Sequence, residues 1–103
     1  MLEPVFGSAV RERVLMYLLT RVESYPRELA QEFGCSLGTV QGILAGLEQG
    51  GVVFSRLERN VRLYQLDPSC PYRKELERLL WRVLQFYPTA EREQLYNPRL
   101  RRK

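Results

Sequence analysis

The spacing of apolar residues predicts helices over most of the chain. Ser8 can cap a first helix that runs to about Thr20. Its apolar residues lie on more than one face: Val10, Val14, Leu15, Met16, Tyr17, Leu18 and Leu19. Because such a helix needs partners on two sides, we expect it to be buried between the body of the domain and a second subunit.

Two short helices joined by a tight turn are predicted next. Pro26 suits the first turn of a helix of about two turns. Ser36 is placed to cap a second helix from Leu37 to Gln49. Apolar residues repeat along it at spacings of four and three: Val40, Leu44 and Leu47. The pattern predicts a helix-turn-helix over residues 26–49.

A β-hairpin follows the helix-turn-helix. Residues 52–57 and 61–66 have the composition of two strands around a turn, and together they predict a wing over residues 52–66. Residues 21–25 could add one brief strand before Pro26. The order helix, turn, helix, hairpin is that of a winged helix-turn-helix.

A long C-terminal helix is predicted over residues 72–87, ended by Pro88. Its apolar stripe contains Leu76, Leu79, Leu80, Val83 and Tyr87. At 103 residues the chain is expected to form one domain, residues 1–96, with a basic tail over 97–103. The predicted fold class is mainly α with a small β-hairpin.

The formal net charge of +4 resides in the tail. Its basic residues are Arg99, Arg101, Arg102 and Lys103. Without them, 12 of the 16 basic residues remain against 12 acidic ones, so the body is neutral. Basic groups must therefore cluster on one surface if they are to attract nucleic acid.

Composition argues against several function classes. Histidine is absent and only two cysteines occur, so we expect no metal site and no cofactor. No spacing suggests a nucleophile with a base or a carboxylate pair, which predicts a binding protein rather than an enzyme. We see no signal peptide and no apolar run long enough for a membrane, so we expect a cytoplasmic protein.

Residues 27–53 resemble the ArsR-like and MarR-like winged-helix transcription regulators. The family pattern is matched at Leu29, Ala30, Gly34, Ser36, Val40, Leu44, Leu47, Gly51 and Val52. The resemblance implies a homodimer that sets the Leu37 helix into successive major grooves of double-stranded DNA, with the wing beside the backbone. It also implies a dimer interface of terminal helices, for which we name Val10, Leu76, Leu80, Val83 and Tyr87. The metal-sensing cysteine motif of the ArsR-like branch is missing.

Candidate DNA contacts fall into two sets. The phosphate-binding candidates are Arg27, Arg56, Arg59 and Arg62. The candidates on the recognition helix and its cap are Ser36, Gly38, Thr39, Gln41 and Gly42. Among these, Gln41 could pair with adenine and Thr39 could touch a thymine methyl group. The tail could add non-specific affinity or only aid solubility.

The recognition helix departs from the family pattern because its exposed face is nearly uncharged. Gly38, Gly42 and Gly46 recur every fourth residue, although a glycine inside a helix costs about 1 kcal/mol relative to alanine. The glycines could lie on a solvated face, under a DNA strand or under a partner helix. A winged-helix module for protein assembly therefore stays open as the alternative function, and a protein partner or small-molecule effector is left open too.

Overall fold

The computed structural model describes residues 1–96. They form helices and a three-stranded antiparallel sheet in the order α1 (Glu3–Phe6), α2 (Ala9–Arg21), β1 (Glu23–Ser24), α3 (Pro26–Phe33), α4 (Leu37–Gln49), β2 (Val53–Glu58), β3 (Val61–Leu66), α5 (Arg73–Leu84) and α6 (Thr89–Tyr96). The basic tail predicted over 97–103 lies outside the described residues. None of the helices within residues 1–96 has the length and apolarity needed to cross a membrane.

Helix α2 is the centre of the domain. It begins at Ser8, whose Oγ accepts a hydrogen bond of 3.2 Å from the backbone N–H of Arg11. All residues from Val14 to Leu18 are buried. The helix contacts α1, α3, α5, α6 and the strands β1 and β3. The partners that its apolar pattern requires are thus present within the described chain, whereas we had expected a second subunit to supply one of them.

In the helix-turn-helix, α3 contacts both α2 and α4. Three side chains of the helix-turn-helix are fully buried in the core: Leu29, Val40 and Leu44. The ring of Phe33 meets that of Tyr17 edge to face, with centroids 5.8 Å apart. Gly34 ends α3 with φ 61, a left-handed conformation that glycine adopts without strain. Ser36 caps α4 as its position predicts, because its Oγ accepts a hydrogen bond from the N–H of Thr39.

Strands β2 and β3 form the predicted wing. Glu58 pairs with Val61, so only Arg59 and Asn60 connect the strands. Arg59 has φ 58, in the left-handed region that a two-residue hairpin turn requires. The brief strand expected before α3 is β1, and it pairs with β3, giving the order β1-β3-β2. The wing is therefore anchored to the segment that leads into α3.

Helix α5 ends at Leu84, three residues before the predicted end. The N–H groups of Phe86 and Tyr87 bond to the carbonyls three residues earlier, at 2.9 and 3.1 Å, which forms a tight turn. Pro88 disfavours helical backbone at the residue before it, so the helix cannot run on to Tyr87. The short helix α1 was not predicted, and it ends at Gly7, with φ 81.

A buried carboxylate joins the two ends of the domain. Glu12, only 2% exposed, accepts hydrogen bonds from the Tyr87 hydroxyl and, at 2.6 Å, from the backbone N–H of Leu2. Burial acts to raise the pKa of Glu12, but these hydrogen bonds outweigh it, so the pKa lies below its ordinary value. Burial and the Glu12 carboxylate both raise the pKa of Tyr87. This contact holds the turn after α5 against α2.

The residues that we named for a dimer interface all pack within the protomer. Leu80 and Val83 belong to the buried core, and Val10, Leu76 and Tyr87 are half-buried against it. Their role in a dimer remains a prediction. A side chain already covered by its own chain has little surface left to offer a partner.

Candidate nucleic-acid interface

The outer face of α4 is open. Its inward side chains are buried: Val40, Ile43 and Leu44. Its outward residues are exposed: Gly38, Thr39, Gln41, Gly42, Ala45, Gly46, Glu48 and Gln49. A Cβ built on any of the three glycines would meet no atom within 4 Å. No described part of the chain covers this face, so it is accessible to a large partner.

A groove of about 470 Å³ runs between the start of α3, the face of α4 and the tip of the wing. Its lining residues are Tyr25, Pro26, Arg27, Leu37, Gln41, Asn60, Val61 and Arg62. Three predicted contact residues, Arg27, Gln41 and Arg62, thus lie around one space. None of the described lining residues is acidic, so the groove is positive although residues 1–96 as a whole are neutral.

Each polar group of the groove is held by a different element. Arg27 lies in the first turn of α3, where Pro26 fixes the start of the helix. Gln41 lies in the second turn of α4, on the face opposite the core. Asn60 and Arg62 are brought to the groove by the short turn of the wing. The groove therefore depends on the packing of the wing against the helix-turn-helix.

Arg56 is separated from this groove by the pleat of the sheet. Leu57 lies opposite Arg62, so Arg56 points to the other face of β2. There it forms ion pairs with Glu23 at 2.9 Å and Glu58 at 3.2 Å. The hydrogen bond to Glu23 is the main cause of a raised Arg56 pKa. Arg56 thus links β1 to β2 across the central strand, and the predicted arginine set is divided between two faces.

Arg62 is positioned by a chain of hydrogen bonds that we did not predict. Its Nη1 donates to Ser55 Oγ at 3.0 Å, and Ser55 Oγ donates to Glu48 Oε2 at 2.7 Å. Burial, followed by the nearby Glu48 carboxylate, raises the pKa of Tyr64 beside this chain. Glu48 near the end of α4 therefore holds Arg62 in place through Ser55. The sequence signal for this contact is that strand alternation places Ser55 and Arg62 on the same face of the hairpin.

The hydroxyl groups at the start of α4 are already engaged with each other. Ser36 Oγ lies 2.8 Å from Thr39 Oγ1 and 3.1 Å from the backbone nitrogen of Thr39. Both residues are exposed, so they remain candidates for DNA contact. The role that the structure gives them is the helix cap, and such a cap commonly stabilises a helix by about 1 kcal/mol.

Two polar or aromatic residues of the groove were missed at the sequence level. Tyr25 is exposed beside Pro26, and Asn60 occupies the turn of the wing. Asn60 could have been predicted from the sequence, because it follows Arg59 in the two-residue turn and therefore lies at the tip of the hairpin. The lone Tyr25 carries no such signal, since only the pairing of β1 with β3 brings it into the groove with Arg62.

Solved structures share this fold. A mutant of ZitR from Lactococcus lactis in apo form aligns with a TM-score of 0.58 at 23% identity, over 84% of this chain and 73% of that one. AdcR, the adhesin competence repressor from Streptococcus pyogenes, aligns with a TM-score of 0.55 at 20% identity, over 84% and 72%. The chain has a MarR-like winged helix-turn-helix fold. No protein-family model and no curated protein matches it.

A third match is a ZitR mutant in complex with DNA, with a TM-score of 0.52 at 23% identity, over 84% of this chain and 66% of that one. These matches confirm the predicted fold class and the resemblance of residues 27–53 at the level of the fold. AdcR is named as a repressor, and this ZitR mutant is bound to DNA. Within residues 1–96, no cluster of three or more His, Cys, Asp or Glu side chains is arranged to hold a metal ion.

Replacing Gly42 with alanine is expected to stabilise the protein by about 1 kcal/mol, because the new methyl group enters open space and an interior glycine disfavours the helix. Urea denaturation would measure this. The matched control is Ala45→Gly on the same exposed face, which should lose about as much. Equal stability of Gly42→Ala and the wild type would contradict the expectation. The DNA affinity of Gly42→Ala would also distinguish two roles of this face. An unchanged affinity indicates a solvated face, and a weakened affinity indicates a face that meets a DNA strand.

Proposed function

We propose that this chain is a DNA-binding transcription regulator that acts as a homodimer. Helix α4 enters the major groove of double-stranded DNA, and the wing lies beside the phosphate backbone. The observation that carries the proposal is the groove that Arg27, Gln41 and Arg62 line together, with no acidic residue among its described lining residues. It combines phosphate-binding cations with a side chain suited to base edges.

The charge distribution favours phosphate as the ligand of this groove. In a neutral body, two guanidinium groups around one space form a local positive field, which is what attracts and orients a polyanion. Arg27 forms no ion pair with another residue of 1–96, and Arg62 bonds to a hydroxyl rather than directly to a carboxylate. Both guanidinium groups can therefore donate to phosphate oxygens without breaking a direct salt bridge.

The open face of α4 favours close approach to the duplex. Gly38 and Gly42 add no side chain, so the helix can lie deep in the major groove while Gln41 and Thr39 reach base edges. Few polar side chains are available for this readout, and we therefore propose backbone affinity with modest sequence specificity. The similarity to a ZitR structure in complex with DNA supports DNA as the ligand. We also propose that the protein is cytoplasmic.

The proposal is tested by titrating fluorescently labelled random duplex DNA with the full chain. If two protomers neutralise about four phosphates, the affinity should fall about 150-fold between about 50 and about 200 mM salt. A truncated variant that ends at Pro98 lacks the basic residues of the predicted tail. Its DNA binding should retain most of the salt dependence. Binding that is absent, or that does not change with salt, would contradict the proposal.

A winged-helix module for protein assembly is the alternative that such a result would favour. The observation in its support is the smooth face of α4, where the only charged residue among those exposed is Glu48. A glycine stripe allows a helix of a partner to approach closely. Binding of this kind would depend weakly on salt, in contrast to the phosphate contacts proposed above.

A further inference from the structure

The exposed face of α4 carries almost no charge, and this restricts the base pairs that it can read. Helix α4 is described throughout, and none of its residues is Arg or Lys. In the major groove guanine presents the acceptors N7 and O6, and the side chains that pair with them best are Arg and Lys. The face that we place against the duplex therefore lacks the usual partners of guanine.

Glu48, the acidic residue of α4, is engaged with the wing. A carboxylate can accept a hydrogen bond from cytosine N4. Glu48 Oε2 already accepts one of 2.7 Å from Ser55 Oγ, and Ser55 Oγ accepts one of 3.0 Å from Arg62. Breaking this chain would release the arginine that we propose for phosphate binding. A G·C pair thus finds no suitable partner on α4.

The polar side chain that α4 brings to the groove suits adenine. Gln41 is exposed and lines the groove with Arg27 and Arg62. Its carboxamide has a donor and an acceptor, which match N7 and N6 of adenine in a bidentate pair. Phosphate contacts of the two arginines would fix the position of the strand beside this carboxamide. Gln41 is therefore placed to read an adenine.

The apolar part of the same face suits thymine. Ala45 is exposed about one turn after Gln41, about 6 Å further along the helix axis. This distance is less than two base-pair steps of about 3.4 Å, so the two residues can contact neighbouring base pairs. An alanine methyl group can pack on the methyl group of thymine. The hydroxyl of Thr39 is engaged with Ser36 Oγ at 2.8 Å, which leaves its methyl group for the same kind of contact.

We infer that α4 selects A·T pairs over G·C pairs where it enters the major groove. This inference rests on the proposed function, since it names the base pairs that the same site reads. Gln41 and the methyl groups near it carry the selectivity. The arginines of the groove supply affinity without regard to sequence, because phosphate contacts carry no base information.

Anisotropy titrations of the full chain at one salt concentration test the selectivity. The probes are duplexes of equal length, one of A·T pairs and one of G·C pairs, and the A·T duplex should bind at least about tenfold more tightly. In Gln41→Ala this ratio should fall at least about threefold, through weaker binding of the A·T duplex. The matched control Gln31→Ala removes an exposed carboxamide from α3, outside the groove, and should keep the ratio of the wild type.

A duplex of inosine·cytosine pairs separates the contributions of the two DNA grooves. Inosine lacks the 2-amino group of guanine, so these pairs resemble G·C in the major groove and A·T in the minor groove. Reading by α4 predicts that the inosine duplex binds as weakly as the G·C duplex. Binding as tight as that of the A·T duplex would assign the selectivity to the minor groove and overturn the inference.

Two further results would also contradict this inference: equal affinity for the A·T and G·C duplexes, or an A·T preference that Gln41→Ala leaves unchanged. If the binding in either case fell steeply with salt, the proposed function would stand. The absence of binding to every duplex would contradict the proposed function as well.

Discussion

Replacing Arg27 and Arg62 together with alanine is expected to weaken binding to random duplex DNA at least about 100-fold. Hydrogen bonds to charged groups contribute about 1.5–3 kcal/mol each, and about 1.4 kcal/mol corresponds to a factor of ten. The slope of log affinity against log salt should also become shallower by about 0.9 for each phosphate that the variant no longer neutralises. Fluorescence anisotropy titrations at several salt concentrations measure both quantities. The two residues lie on different elements, so their common effect would locate the duplex at the groove between α3 and the wing.

The matched control removes the same charge from elsewhere. Arg21 at the end of α2 and Lys74 in α5 are exposed and do not line the groove. The variant Arg21→Ala/Lys74→Ala should keep the affinity within about threefold and the salt slope nearly unchanged, because neither side chain lines the groove and salt screens exposed charges. An equal loss of affinity in the two variants would mean that overall charge, rather than the groove, attracts DNA.

The features that the sequence predicted correctly are local ones. The cap at Ser36 and the stripe of Val40 and Leu44 are set by residues within a few positions of each other. Such short-range signals, capping and helical periodicity, do not depend on the rest of the chain. They were sufficient to place the helix-turn-helix and the wing. The resemblance to winged-helix regulators depended on the same short segment.

The division of the arginines could not be predicted in this way. Arg56 is bound to Glu23, which lies 33 positions earlier in the chain. The sequence indicates a brief strand there, but not that it pairs with β3 and places Glu23 on the face of Arg56. The arginines of the hairpin therefore formed one group in the sequence, Arg56 together with Arg62. In the structure, strand alternation and the ion pair with Glu23 separate the two residues.

The sequence also did not show which elements of the protomer cover two of the helices, for a related reason. The apolar faces of α2 predicted a contact with a second subunit. In the protomer, the short helix α1 and the C-terminal helix α6 contact α2. In α5 the periodicity identifies apolar positions without saying which of two stripes faces inward. Leu80 is buried in the protomer while Leu79, one residue earlier, is exposed. Only the packed structure shows which of these positions face the core.

The second large effect is expected at the buried carboxylate. Tyr87→Phe removes the hydroxyl that donates to Glu12 and leaves a buried charge short of one partner. We expect the free energy of unfolding near neutral pH to fall by about 1–3 kcal/mol. Urea denaturation followed by circular dichroism measures it. Tyr25→Phe is the control, because the exposed Tyr25 forms no hydrogen bond through its hydroxyl within residues 1–96 and should not change stability.

The pH dependence separates this mechanism from a simple packing defect. Because the pKa of Glu12 is lower in the folded protein than in the unfolded chain, its contribution is complete above the ordinary glutamate pKa and is lost as the pH falls through the lowered value. In Tyr87→Phe that pKa is lowered less, so the stability difference from the wild type should narrow on acidification. The raised pKa of Tyr87 has the opposite sign, and its contribution is lost as the pH rises above the ordinary tyrosine pKa. A difference that stays constant from acid to neutral pH would show that the hydroxyl does not act through ionised Glu12.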